Sequence, residues 1–249
     1  MPEPKTPTKP KYRRRRRTLI RSNNRFRVLL TFLALMLMVT PFFEERRFAI
    51  NIIRLILSLA LIAAVYGVSR KRRDLIIAGT LALPALIGRW LPAYATSMPI
   101  FAAVSASTAL FLAFVAYMII NEVAHLRTVT FDTIFGAACG YILIGAVWAF
   151  TYSLINVVAH PGFVFTDVVN LPPAPDLIQQ SRLTSLFYFS FITLTSTGFG
   201  DILPLAPVAK GFAVVEAMIG QFYVAILVAR LVSLELLSSG NEADPNPDD

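Results

Sequence analysis

The chain has 249 residues, of which 56% are hydrophobic and only 15% are charged. Soluble domains carry about 25% charged residues, so the composition argues against an ordinary soluble enzyme. The mean hydropathy is +0.63, and the apolar residues come in long blocks, which favours a membrane protein. Cys139 is the single cysteine, so neither an intrachain disulfide framework nor a cysteine-based zinc site is predicted.

The net charge of +8 is concentrated before the first apolar block. Segment 1–25 contains an unbroken run of arginines at 13–17, with further lysines and arginines on both sides. Such a segment next to a membrane span fixes orientation and contacts anionic lipid headgroups. Nucleic-acid binding is the alternative, but no aromatic side chains interleave with the arginine run to stack on bases. We therefore predict a lipid partner and no nucleic acid.

Six apolar blocks have about the length of a membrane-spanning helix. They cover residues 26–43, 48–68, 75–91, 98–121, 133–159 and 207–237. A seventh stretch, 183–194, is too short to span. The blocks are continuously apolar rather than alternating with period two, which favours helices over barrel strands.

Basic loops fix the predicted orientation. The amino-terminal segment and the second loop, 70–73, are strongly basic, so the positive-inside rule places both termini in the cytoplasm. Six spans satisfy this parity when the short stretch enters and leaves the membrane on the outer side. The proline-rich segment 171–175 predicts a stiff outer loop, and the acidic tail 238–249 is predicted to be disordered.

The informative segment is 181–204. Ser181 is predicted to cap a short helix that is apolar on all sides and ends near 193–195. Gly198 and Gly200 then permit backbone conformations that other residues resist. Alternating conformations can aim successive carbonyl oxygens at one axis, where rings of carbonyls replace the water around a monovalent cation. The carboxyl end of the helix, with its partial negative charge, would also favour a cation.

The stretch 195–201, Thr-Ser-Thr-Gly-Phe-Gly-Asp, resembles the selectivity filter of potassium channels, whose core pattern is T-V-G-Y-G followed by D. The preceding residues 188–190, Tyr-Phe-Ser, resemble the aromatic pair and serine of the family's pore helix. The resemblance covers roughly 133–237. It implies an all-α membrane protein of the bacterial inner membrane with six transmembrane helices, a re-entrant pore helix and a filter loop, in a voltage-gated-channel-like architecture. It also implies a homotetramer, because one chain supplies one quarter of the filter.

The resemblance assigns roles residue by residue. K+ would bind the carbonyl groups of Ser196, Thr197, Gly198 and Phe199, with Gly200 completing the filter and the Ser196 hydroxyl completing the innermost site. Thr197 departs from the family's Val or Ile, and its hydroxyl needs a partner behind the filter. The candidate partners are Glu216, Thr193 and Thr195, and we expect Glu216. Ile192 stands where some members carry a glutamate paired to the filter aspartate, so Tyr188 is the candidate partner of Asp201.

The last span is predicted to line the cavity and the gate. Gly220 lies at the family's hinge position, although close packing against the outer helix would equally explain a glycine there. One helical face continues below it with Gln221, Val224, Ala225, Val228 and Val232, for which a plain helix–helix interface is the alternative. Glu216, one turn above Gly220, is a functional candidate because ionisable residues at that depth are rare.

The predicted organisation is a basic segment (1–25), a four-helix domain (26–121), a cytoplasmic linker (122–132), a pore domain (133–237) and a tail (238–249). The fourth span has no lysine or arginine, so steep voltage gating is not predicted. The predicted function is passive potassium conduction without a cofactor, with a weakly selective cation channel as the alternative. A four-repeat transporter is disfavoured because one filter is present. A membrane enzyme is disfavoured because no catalytic constellation is visible.

Overall fold

A computed structural model describes residues 25–39, 55, 58–59, 62, 72–91, 97–125, 131–165 and 175–242. Within these residues the helices are α1 (Arg25–Val39), α2 (Arg72–Trp90), α3 (Met98–His125), α4 (Phe131–Val158), α5 (Pro175–Leu194) and α6 (Pro207–Glu242). Two short strands, β1 (Phe163–Phe165) and β2 (Ile202–Pro204), pair antiparallel.

Three of these helices are long and apolar enough to cross a membrane, namely α3, α4 and the part of α6 up to Leu234. The first helix has an apolar stretch of only 26–38. The third predicted span forms α2, but this helix carries Arg72, Arg73, Asp74 and Arg89. The predicted second span, 48–68, lies outside the described residues except at four isolated positions. The count of six spans therefore stays a prediction.

Several helix ends differ from the ends predicted from the sequence. The helix α5 begins at Pro175, so Ser181 lies inside the helix and not at its predicted start. Proline is favoured at the first helical position because its missing N–H needs no partner there. The helix α3 continues to His125, into the predicted linker. The helix α6 continues to Glu242, into the tail predicted to be disordered.

The core lies between α3 and α4. The small residues Ala109, Ala116, Ala137 and Ala146 are buried there, which lets the two backbones approach as is usual for helices in membranes. The first two helices pack on the outside of this pair, α1 on α4 and α2 on α3. The helix α5 packs on the other end of α4, where the buried side chains of Leu183 and Phe187 extend the same core.

A second core holds the loop segments around α5. The rings of Tyr152, Phe163 and Phe189 contact one another edge to face, with centroids 5.1–5.4 Å apart. Phe163 belongs to β1, whose pairing with β2 fixes the chain immediately after residue 201. The sequence prediction of an all-α fold missed this sheet because strands of three residues are too short to show a period.

The helix α6 differs from the other two candidate spans in burial. About half of the most apolar stretch of α3 and of α4 is buried inside the protein, but only 11% of the corresponding stretch of α6 is buried. Its contacts are with α4, α5 and β2. Within one chain, α6 therefore presents most of its apolar surface outward.

At Gly220 the helix α6 lies in close contact with the end of α5. A Cβ built on Gly220 would overlap the main-chain carbonyl group of Leu194, the last residue of α5. The neighbour is backbone and cannot rotate away. Gly220 is therefore a close-packing position against α5, and not against the outer helix α4 as the packing alternative supposed.

Replacing Gly220 by alanine should destabilise the protein by about 2 kcal/mol or more, since overpacking typically costs 1–3 kcal/mol. The matched control is Gly211→Ala in the same helix, where a Cβ meets nothing within 4 Å. That control should be neutral or stabilising, because alanine is the better helix former by about 1 kcal/mol. Thermal unfolding in detergent measures both variants. Equal melting temperatures would contradict the close contact.

Candidate functional site

The loop 195–201, which we call the filter loop, begins where α5 ends. Leu194 is the last residue of α5, and Ser196, two residues later, has a positive φ of +57°. The amide of Thr197 donates to the carbonyl of Ile192 at 2.8 Å, and the amide of Ser196 donates to the carbonyl of Thr193 at 2.9 Å. This pair of hydrogen bonds is the Schellman motif, in which the residue with positive φ is usually glycine. Ser196 takes that place here.

All four carbonyl groups of the last turn of α5 have partners. The last four carbonyls of a helix lack intrahelical donors, and the filter loop supplies most of what is missing. The amide of Thr195 donates to the carbonyl of Phe191, and the amide of Ser196 donates to the carbonyl of Thr193. The amides of Thr197 and Gly198 both donate to the carbonyl of Ile192. The remaining carbonyl, that of Leu194, accepts from the hydroxyl of Tyr141 at 3.1 Å.

These amide bonds fix the direction of three successive carbonyl groups. In a planar trans peptide the C=O points opposite to the N–H of the next residue. The amides of residues 196, 197 and 198 all point back at the end of α5. The carbonyl groups of Thr195, Ser196 and Thr197 therefore point away from α5.

The glycines continue this backbone pattern. Positive φ values occur at every second residue, with Ser196 at +57°, Gly198 at +54° and Gly200 at +83°. A Cβ on either glycine would meet nothing within 4 Å in the single chain. Glycine is thus needed here for its backbone conformation and not for space, because L-residues adopt positive φ at a cost of roughly 1–2 kcal/mol.

The filter loop is open to the surroundings in one chain. Residues 195–200 are all exposed, and Phe199 is 71% exposed. The predicted cavity and gate positions are exposed as well, namely Gln221, Val224, Ala225, Val228 and Val232. The structure thus brings the filter loop and this face of α6 to the unpartnered side of the pore domain.

Thr197 does not bond Glu216, and that expectation was wrong. Its hydroxyl pairs with the hydroxyl of Thr195 at 2.9 Å. Thr195 in turn donates to the carbonyl of Phe191 at 2.7 Å, so its one proton is used and Thr197 is the donor of the pair. The hydroxyl–hydroxyl contact is local, between residues two positions apart in the turn that ends α5.

Glu216 is fully buried where α6 meets α4 and α5. Its two carboxyl oxygens contact the hydroxyls of Tyr152 and Ser190, each at 2.5 Å. Ser190 belongs to the Tyr-Phe-Ser stretch singled out in the sequence, whereas Tyr152 was missed. A tyrosine within a predicted membrane span is a usable signal, because a buried hydroxyl needs a partner.

Further hydrogen bonds attach α6 to its neighbours. The side-chain amide of Gln221 donates to the Ser196 hydroxyl at 3.0 Å, which joins α6 to the inner end of the filter loop. The Tyr223 hydroxyl donates to the carbonyl of Ala137 in α4 at 2.7 Å. Asp201 accepts from the amide of Ile202 at 3.1 Å, and its pairing with Tyr188 stays a prediction.

Residues 129–235 match a family model described as "Ion channel". This segment belongs to an ion channel family. The match covers α4, the filter loop and most of α6. It confirms the predicted resemblance to ion channels and the predicted membrane protein, whereas potassium selectivity and the bacterial inner membrane stay predictions.

Two curated relatives are also similar to the chain. Protein LctB of Bacillus caldotenax is 29% identical over 133 residues, which is 49% of this chain and 92% of that protein. Protein LctB of Geobacillus stearothermophilus is 32% identical over 96 residues, which is 37% of this chain and 63% of that protein. No solved structure matches the chain significantly.

Replacing Thr197 by valine should be mild. The change removes the donor of the Thr195–Thr197 bond, while Thr195 keeps its bond to Phe191, so the expected loss of stability is about 1 kcal/mol or less. Thermal unfolding and cation flux of the purified protein should both remain close to wild type. A large loss of either would show that Thr197 has a partner more important than Thr195.

Proposed function

We propose that the protein is a passive, potassium-selective ion channel. The observation that carries the proposal is the common direction of three successive filter-loop carbonyl groups, which point away from the end of α5. The amide group in the same peptide unit as each of these carbonyl groups donates to the end of α5. Carbonyl dipoles arranged in rings replace the hydration shell of K+ and release it again at low cost. The remaining predicted sites, at Gly198 and Phe199, continue along the same alternating backbone.

The channel is proposed to be a homotetramer. One chain contributes one strand of carbonyl groups, and a cation needs oxygen ligands on all sides. The exposed filter loop and the weakly buried α6 leave the two surfaces that such an assembly would cover. The exposed positions Val224, Val228 and Val232 would then face the aqueous cavity or a neighbouring chain.

The membrane orientation is proposed from the distribution of charge. Both termini would lie in the cytoplasm of a bacterium, with the basic segment 1–25 near anionic headgroups of the inner membrane. That segment lies outside the described residues. The predicted domain boundaries, including the division between 26–121 and 133–237, stay proposals as well.

A weakly selective cation channel is the second candidate, and one observation favours it. Among the described residues, the Thr197 side chain bonds only to the neighbouring Thr195, so the middle of the filter loop is held chiefly by the backbone bonds to α5. A less firmly held ring of carbonyls would discriminate less well between K+ and Na+.

Reconstituted protein tests selectivity directly. In liposomes with opposing K+ and Na+ gradients, the reversal potential should follow the K+ gradient. Equal permeability for the two ions would contradict potassium selectivity and support the second candidate. Absence of any cation flux in vesicles that contain the inserted oligomer would contradict the channel proposal itself.

Gly198→Ala is the variant that should abolish selective flux. The added methyl group meets no atom within the chain, but the φ of +54° becomes strained. Gly211→Ala is the control, because it too adds a methyl group in open space but at an ordinary helical position. Both variants should insert into membranes, and only Gly198→Ala should lose K+ flux. Normal K+ flux in that variant would show that the positive φ is dispensable.

Voltage should have little effect on opening. The helix α3 has no lysine or arginine, and His125 is the only basic residue in its last turn. Moving one charge through the field supplies about 2.3 kcal/mol per 100 mV, so a helix without lysine or arginine lacks the gating charges that steep voltage dependence requires. The conductance of planar bilayers should therefore change only gradually with voltage. A steep curve equivalent to several moving charges per chain would contradict this.

A further inference from the structure

Glu216 sits at the meeting point of three helices. It lies on α6, is fully buried, and contacts Tyr152 of α4 and Ser190 of α5. Both partners are hydroxyls and neither carries a charge. Among the described residues no lysine, arginine or histidine forms an ion pair with this carboxyl.

Counting protons decides the state of the carboxyl group. The Ser190 hydroxyl lies 2.7 Å from the carbonyl oxygen of Gly145 and 2.5 Å from Oε1 of Glu216. The Tyr152 hydroxyl lies 2.5 Å from Oε2. Three oxygen–oxygen contacts of hydrogen-bond length thus share only two hydroxyl protons, one from serine and one from tyrosine.

The third contact needs a third proton, and the carboxyl group of Glu216 is its source. A main-chain carbonyl is only an acceptor, so Ser190 must donate its proton to Gly145. The Ser190 oxygen then needs a donor on its other side, and that donor is Oε1 of Glu216. Tyr152 donates to Oε2, which completes a chain with one proton in each contact.

An ionised Glu216 does not fit this geometry. Hydroxyls also approach carboxylates at 2.5–2.7 Å, so the lengths alone do not choose between the two states. If Glu216 were a carboxylate, however, Ser190 would have a single proton for two acceptors, Gly145 and Glu216. One of its two short contacts would then bring two oxygen atoms together with no proton between them. Burying a carboxylate without a cation is also costly.

We infer that Glu216 is a neutral carboxylic acid that donates its proton to Ser190 and so positions the helix that carries the filter loop. The chain of hydrogen bonds runs from Tyr152 through Glu216 and Ser190 to Gly145. It begins and ends on α4 and passes through α6 and α5. Ser190 lies half a turn before Ile192, whose carbonyl accepts from two filter-loop amides. A shift of α5 at Ser190 would therefore also move the filter loop.

Infrared spectroscopy tests the protonation state without any need for ion conduction. The purified full-length protein at neutral pH should show the carbonyl stretch of a protonated carboxylic acid. That band should disappear in Glu216→Gln and persist in Glu122→Gln, the matched control at the partly exposed end of α3. Absence of the band in the wild type, or its persistence in Glu216→Gln, would overturn the inference.

Stability distinguishes the positioning role. In Glu216→Gln the amide carbonyl can accept from Tyr152 and the amide nitrogen can donate to Ser190, so this variant should melt within about 4 °C of the wild type. Glu216→Ala leaves both hydroxyls without that partner and should melt lower by more than this. Equal losses in the two variants would contradict the hydrogen-bond arrangement.

The inference stands independently of the proposed potassium function. A protonated carboxyl band in a protein without K+ flux would support the inference and contradict the channel proposal. Selective flux in a protein whose Glu216 is ionised would do the reverse.

Discussion

The carboxyl end of α5 is the constraint on which the rest of the pore domain depends. Three of its terminal carbonyl groups are bonded by filter-loop amides, and the fourth accepts the hydroxyl of Tyr141. Each of these amides points at the end of α5, and the carbonyl group of the same planar peptide unit therefore points away from α5. The helix end thus sets the direction of the filter-loop carbonyls, and any displacement of α5 must change them.

The helix α6 touches this assembly at three points within six residues. Glu216 bonds the middle of α5 through Ser190, Gly220 packs on the backbone of Leu194, and Gln221 bonds the hydroxyl of Ser196. These contacts follow one another along α6 from the fully buried side of α5 to the inner end of the filter loop. A bend in α6 near Gly220 would therefore disturb the filter loop together with the gate region. In the channel proposed above, conduction at the filter loop and movement of α6 would be coupled through these residues.

Much of the filter region could be predicted because its signal is local. The end of α5 near 194, the need for glycine at 198 and 200, and the place of 195–201 between two apolar helices all follow from residue types within a short stretch. The Schellman motif itself could not be predicted, because its residue with positive φ is Ser196 and the usual signal is glycine. The start of α5 was also missed, since Pro175 was taken as part of an extended loop.

The partners of buried polar groups could not be predicted from one sequence. Glu216 was identified as a candidate by its depth, but its contacts with Tyr152 and Ser190 join residues 64 and 26 positions apart. Such pairings depend on how α4, α5 and α6 pack, and periodicity says nothing about them. The close contact of Gly220 with Leu194 is of the same kind: the glycine was recognised, but its neighbour was not.

The most direct test of the account is a structure of the assembled protein in a membrane-like environment containing Tl+, a heavy ion of nearly the size of K+. The account predicts anomalous signal on a fourfold axis, in a row of sites beside the carbonyl groups of residues 196–199. A filter loop whose carbonyls face α5 or lipid, or an axis without bound ions beside these residues, would contradict it.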